Sequence, residues 1–333
     1  SRVYLYQERW AEVLELTNNI INSGRYRLVE GDFYKGYPTY VPEDNPETIF
    51  AVRYTKDVDY QTDYRKYMIG SMYALIDGDG WGEMYASDSY LKLLELHPQD
   101  LRLAFIRKQS NYNGRHWFIY NNNNQYVKVA VTLENGEYTI DDPTGYQSAS
   151  VDMEDYHGGK RRYITTSNGT KIYGRVEEQM QTRNDYPMYY VYKCSLQEGQ
   201  AHMWSPIVSR LAEIYLNRAE AKYHLGDNQG ALDDINIIRK RAGIPEWKLN
   251  NLPQGYDVLD VVLEERRLEL AFEAHRRFDL YLNSLILDRN YPGGHISAGG
   301  PVQVVYNEDR VVEFIPHIEM LAYPNPDALV QNP

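Results

Sequence analysis

The most constraining stretch of the chain runs from Ser205 to Pro245. Ile207, Leu211, Ile214, Tyr215, Ala219, Tyr223 and Leu225 recur on one helical face, and Gly226-Asp227 then breaks the run. Ala231, Leu232, Ile235, Ile238 and Ala242 form a second face, stopped by Gly243 and Pro245. The spacing predicts two helices joined by a tight glycine turn. Ala219, Tyr223, Leu225-Gly226 and Ala231 fit a tetratricopeptide unit, in which small alanines let paired helices approach. One such unit cannot bury its apolar face alone, so the chain must supply further helices. Trp10, Val13, Leu14, Thr17, Ile20 and Ile21 predict one, ended by Asn22-Ser23-Gly24 with Gly24 as a left-handed cap. Arg2 to Tyr6 reads as the tail of another helix, and Tyr256–Leu282 as a further long, charge-dense one.

Between these helical parts the character changes. Gly, Pro, Asn, Asp and Tyr dominate residues 31–200. Strands are expected at Thr48–Tyr54, Tyr126–Leu133 and Met188–Lys193, and a short helix at Asp88–Leu96. Asn121-Asn122-Asn123-Asn124 reads as an exposed polar tip. Loop-rich stretches of this length are either functional or disordered. The chain has 32 Tyr against 7 Phe and 5 Trp, and this aromatic density argues against disorder. The expected division is a helical segment at 1–30, a loop-rich ligand-binding region at 31–203, helices at 204–289 and C-terminal loops with one or two short strands at 290–333. The expected fold class is mainly α: a tetratricopeptide-like scaffold with a loop-rich insertion containing short strands.

Several functions are disfavoured. A formal charge of −12 argues against a nucleic-acid partner and against attraction to an anionic membrane surface. Cys194 is alone, so the chain can form no internal disulfide and no cysteine-rich zinc site. No run approaches the length of an apolar membrane-spanning helix. There is no metalloprotease His pair, no Gly-x-Ser-x-Gly elbow and no Walker A run. Gly78, Gly80 and Gly82 are too closely spaced for a dinucleotide loop. Asp77 and Asp79 resemble the start of a calcium loop, but Trp81 occupies the next ligand position and the distal Glu is missing. Glu264, Glu265, Glu269 and Glu273 share a predicted helix with Arg266, Arg267, Arg276 and Arg277. Helical spacing lets Glu269 meet Arg266, and Glu273 meet Arg276 or Arg277. Glu269 and Arg276 are therefore expected to be structural. No cofactor or metal is expected.

What remains is aromatic and amide clustering. Tyr60, Tyr64, Tyr67 and Tyr73 precede Trp81 and Tyr85; Asn111, Tyr112, Asn113, Arg115, His116, Trp117 and Tyr120 follow. A pyranose offers an apolar C–H face for an aromatic ring and a rim of hydroxyls for amides and guanidinium groups. The expected carbohydrate platforms are Trp81 and Trp117, helped by Tyr67, Tyr73 and Tyr85. Asn111, Asn113 and Arg115 are expected to pair with hydroxyls.

The C-terminal third also resembles a known family. Arg210-Leu-Ala-Glu-Ile-Tyr-Leu-Asn-Arg-Ala-Glu-Ala221, Asp234-Ile-Asn-Ile-Ile-Arg239, Arg241-Ala-Gly243 and Glu264-Glu-Arg-Arg-Leu-Glu-Leu-Ala-Phe-Glu273 are similar to SusD/RagB proteins. So are His275-Arg276, Phe278-Asp279-Leu280, the ending Asn325-Pro326 with Gln331-Asn332-Pro333 and, upstream, Ser23-Gly24-Arg25-Tyr26 and Glu47-Thr-Ile-Phe50. Ala274 stands where Gly is usual, and Arg277 where Trp is usual. The resemblance implies a SusD-like fold and a surface-exposed lipoprotein of the outer membrane, anchored by an N-terminal lipid outside these residues. It implies a glycan-binding protein that serves a SusC-like TonB-dependent transporter and is not an enzyme. A RagB-like peptide binder and a tetratricopeptide-type interaction scaffold are the alternatives.

Overall fold

The computed structural model of the chain describes residues 1–60, 68–111, 113–293, 302–307, 316–322 and 324. Helices α1 (Arg2–Tyr6), α2 (Trp10–Asn22) and α3 (Gly31–Lys35) precede strand β1 (Thr48–Ala51). The middle holds α4 (Ile69–Tyr73), α5 (Asp88–Leu94), β2 (Ile106–Lys108), β3 (His116–Asn122), β4 (Gln125–Glu134) and β5 (Glu137–Ile140). It continues through β6 (Asp152–Tyr156), β7 (Gly159–Thr165), β8 (Lys171–Glu178), β9 (Thr182–Arg183), β10 (Tyr186–Pro187) and β11 (Tyr189–Val191). Strand β12 (Ile207–Arg210) leads into α6 (Leu211–His224), α7 (Asn228–Ala242), α8 (Val258–Glu269) and α9 (Arg276–Leu282). Two-residue strands β13 (Leu287–Asp288) and β14 (Gln303–Val304) and helix α10 (His317–Ala322) follow.

The helical hairpin forms as its pattern predicts. Helices α6 and α7 pack together, α2 lies against α6, and α8 covers both. Ala212, Leu216, Ala219, Ala231, Leu232, Ile235 and Ile238 are fully buried between them, with Val261 and Val262 from α8. Gly24 and Gly243 take left-handed backbone at the ends of α2 and α7, a conformation that costs glycine little. The start of the first face differs from expectation. Ile207 belongs to β12, which pairs antiparallel with β1, so α6 begins only at Leu211. No helix among the described residues is long and apolar enough to cross a membrane.

The long charged helix is interrupted. α8 ends at Glu269 because cations from elsewhere take its last carbonyls. Lys193 Nζ donates to the carbonyls of Glu269 (2.8 Å) and Ala271 (3.0 Å), and Arg210 donates to Glu269 O at 2.9 Å. Phe272 and Ala274 then take left-handed backbone, with φ of 68° and 64°. The Phe272 ring is gripped edge-on by Tyr73 and Tyr90.

The helix's charges do pair, but with partners distant in sequence. Glu269 meets Arg210 and Arg241 at 2.6 Å each, while Arg266 meets Asp279 at 2.7 Å. Glu273 meets Arg210 at 2.7 Å and Lys193 at 2.5 Å, leaving neither Arg276 nor Arg277 as its partner. These groups are buried, so each pair offsets its own desolvation only while both members stay. Burial pushes the Glu273 carboxyl up, but Arg210 and Lys193 outweigh it and hold the group at about 2.

The middle region corrects the expectation of a mainly α fold. It carries a six-stranded antiparallel sheet in the order β5-β4-β3-β8-β7-β6, and β4 alone is 10 residues long. The molecule is thus a helical scaffold joined to a substantial sheet. Phe118, Val131, Ile140 and Ile164 pack beneath one face of that sheet. The other face is largely polar, which is why weak hydropathy contrast disguised its strands as loops.

Candidate functional site

The expected site residues fall into distinct settings. Trp81 lies on the loop after α4, with 47% of its surface exposed. Its amide donates to Ser71 O at 2.8 Å, and its carbonyl accepts from the Arg183 guanidinium at 2.6 Å. Arg183 also pairs with Glu83 at 2.9 Å. Tyr85 is half-buried with its ring tilted over Tyr190. Asn113 donates to Gln179 Oε1 at 2.6 Å and accepts the Arg115 amide, so its side chain braces a turn. The Asn111 amide donates to Gln179 O, and the Gln179 amide donates to Arg115 O. Residues 177–183 therefore carry both groups: Gln179 ties down Asn111, Asn113 and Arg115, and Arg183 holds the Trp81 loop.

Two expectations change. Trp117 is not on a loop; it sits in β3, half-buried, paired with Ala130 on β4 and Glu177 on β8. Tyr73 is half-buried beside Phe272, and burial raises its phenol to about 12. Tyr67 lies outside the described residues.

None of the described ones lines the cleft between the sheet and helices α5 and α8. This cleft encloses ≈ 470 Å³, within the range of about 300–1,000 Å³ usual for small-ligand sites. Its sheet wall is a stack of side chains. The Arg161 guanidinium lies 3.9 Å from the Tyr156 ring centroid and 3.7 Å from that of Tyr173. Glu154 fixes Arg161 with a 2.9 Å bond from Nε. His157 stacks on Tyr156 at 3.9 Å, meets Tyr256 edge-on at 4.5 Å and contacts Glu264 through Nδ1 at 3.0 Å. The opposite wall presents Leu263, Glu264 and Arg267 from α8, with Arg276 from α9.

The turn between β6 and β7 sets the width of this cleft. His157 and Gly158 both have positive φ, as a two-residue hairpin turn of the primed type requires. A Cβ on Gly158 would approach the Trp247 ring to 3.1 Å, and one on Gly159 would come within 2.3 Å of the Leu96 carbonyl oxygen. The Lys160 amide donates to that same carbonyl at 3.1 Å. The hairpin tip is thus seated between Leu96 and Trp247. A sequence cue existed in His157-Gly158 between two polar-alternating runs. Its cleft partners on α8 lie about a hundred residues away and could not be assigned from it.

The SusD family profile (SusD_RagB) matches residues 46–283. The chain belongs to the SusD family. This SusD-family chain is 40% identical over 90 residues to SusD-like protein P25 of Formosa agariphila, a match covering 26% of this chain and 17% of that protein. A SusD superfamily protein from Bacteroides thetaiotaomicron superposes with a TM-score of 0.62 at 20% identity, covering 100% of this chain and 58% of that one. Surface glycan-binding protein A from Bacteroides uniformis superposes with a TM-score of 0.52 at 20% identity, covering 99% of this chain and 58% of that one. The chain thus spans little more than half the length of these structural relatives, and the likeness to them is one of fold.

Proposed function

We propose that this chain forms part of a cell-surface glycan-binding protein of the outer membrane, which captures oligosaccharides or polysaccharides for a SusC-like TonB-dependent transporter. The observation that carries this reading is the ≈ 470 Å³ cleft walled by Tyr156, Tyr173 and Tyr256 within a SusD-family fold. Aromatic faces beside guanidinium, carboxylate and imidazole groups suit the apolar face and hydroxyl rim of a sugar. The glycan-binding character of the Bacteroides uniformis relative supports it. The Trp81 surface, with Tyr85, Asn111, Asn113 and Arg115, is proposed as a second contact region for a longer chain. Trp117, half-buried in β3, and Tyr73, half-buried beside Phe272, are proposed as supporting residues.

Calorimetric titration with neutral and acidic oligosaccharides and a peptide mixture tests the reading. Binding is expected in the micromolar to millimolar range, roughly −8 to −4 kcal/mol. Tyr156→Ala is expected to weaken it at least tenfold, and Trp81→Ala to weaken long oligosaccharides more than short ones. Peptide binding without any sugar binding would overturn the proposal. Co-purification with the transporter tests the delivery step separately.

A further inference from the structure

The chain carries a formal charge of −12, yet the cleft walls hold seven Lys and Arg side chains against three carboxylates. Most of the cations are already paired. Lys92 and Arg175 meet Asp88, and Arg161 meets Glu154. Arg162 lies over the Tyr138 ring instead, 5.0 Å from its centroid, which leaves Arg267 and Arg276. Among the described residues no carboxylate lies within ion-pair distance of either. Arg267 donates only to the neutral Ser89 hydroxyl, at 2.7 Å. Glu264 is engaged by His157, and Asp279 by Arg266.

Both guanidinium groups are half-buried in one cleft. Burial, then the neighbouring Arg267 charge, lowers the Arg276 group to about 10, so it stays cationic at neutral pH. Two half-buried like charges repel each other, Glu264 acts on both without an ion pair to either, and an anion held directly between them would offset the remaining cost. Guanidinium groups suit the flat, two-oxygen geometry of carboxylate and sulfate. The aromatic groups along the cleft, Tyr156, His157 and Tyr256, supply apolar surface for the ring that carries the anion.

We propose that the cleft selects an acidic sugar, a residue bearing a carboxylate or sulfate held by Arg267 and Arg276 while its ring lies against the Tyr156–Tyr256 side. This rests on the glycan-binding reading above and narrows its substrate class. Capture by a guanidinium pair makes the interaction sensitive to salt, since salt anions compete for the two groups and the Debye length shortens from about 8 Å at physiological ionic strength to about 3 Å at 1 M.

The test uses two matched pairs of oligosaccharides in titration calorimetry: oligogalacturonate with its methyl ester, and a sulfated galactan fragment with its desulfated form. At least one acidic member is expected to bind tenfold or more tightly than its neutral partner, and which one does so separates carboxylate from sulfate. The gap is expected to close in Arg267→Gln and Arg276→Gln and to persist in Arg276→Lys. It is also expected to shrink in 0.5 M salt in the unmodified chain, a measurement that needs no variant to fold. Equal binding of acidic and neutral members would overturn this inference and leave the glycan reading standing. Binding of peptides but no sugar would overturn both. Failure of every sugar and peptide to bind would overturn the assignment of the cleft.

Discussion

At the residue scale, Ala274 shows how a single backbone angle explains a departure in sequence. Its φ of 64° lies in the left-handed region, where a Cβ costs about 1–2 kcal/mol. Its side chain is exposed, so removing the methyl sacrifices no packing. Ala274→Gly is expected to stabilise the fold by about 0.5–1 kcal/mol, the relief of strain less the entropy that glycine adds to the unfolded chain. A urea midpoint that moved down would show that the turn tolerates alanine without strain. Phe272, in the same turn and equally left-handed, is different: its ring fills the space between Tyr73 and Tyr90. Replacing it loses buried contact along with strain. The usual glycine at position 274 was visible in the sequence as a resemblance, but the reason for it was visible only in the dihedral.

At the element scale, the β6–β7 hairpin is the part whose placement most governs the cleft. Its tip touches Leu96 after α5 and Trp247 after α7, and its strands supply Tyr156 and Arg161. Gly159→Ala places a methyl against a backbone oxygen that cannot rotate away, so the hairpin itself must shift. A destabilisation of about 1–3 kcal/mol is expected, the usual cost of overpacking, together with weaker ligand binding. Unchanged unfolding and unchanged affinity would show that the hairpin is not seated as described.

The helices were legible because their signal is local. Apolar positions three and four apart and a glycine stop lie close together in the chain, as in α7, whose start the structure adds to with the Asp227 side chain accepting the Gly230 amide. Most of the sheet was not legible, because a strand with one polar face carries little contrast of its own. His116–Asn122 becomes a central strand only when β4 and β8 lie on either side of it.

At the scale of the whole molecule, the charge pattern predicts acid sensitivity. His97 is buried, and burial, then Arg239, lowers its pKa from 6.5 to about 4. The unfolded chain therefore binds a proton at His97 that the folded chain refuses between these values, so stability falls as pH drops from 6.5 toward 4. Glu273 is depressed from 4.5 to about 2, so its contribution is present above pH 4.5 and is lost as pH falls toward 2. Urea unfolding between pH 7 and pH 3 is expected to show a steady loss, with the upper part flattened in His97→Gln. A midpoint independent of pH above 4 would rule out the His97 contribution. Net charge also misleads at this scale. The sum of −12 argues against nucleic-acid and anionic-membrane partners, yet the cleft concentrates cations, because folding sorts charges by position and composition records only their sum.

The amino-acid sequence by itself determined the helical hairpin, its glycine stops, the family and the presence of an aromatic middle region. Each of these rests on spacings of a few residues, or on motifs that stand unbroken in the chain. The tertiary structure decided the order of the sheet, the interruption after Glu269, the partners of the buried ions and the walls of the cleft. Those features join groups far apart in the chain: His157 and Glu264 are separated by 107 residues, and Ser89 and Arg267 by 178. A periodicity reports which face of an element is buried. It carries no information about which distant element will bury it, and that choice is made by packing and charge pairing in the folded chain.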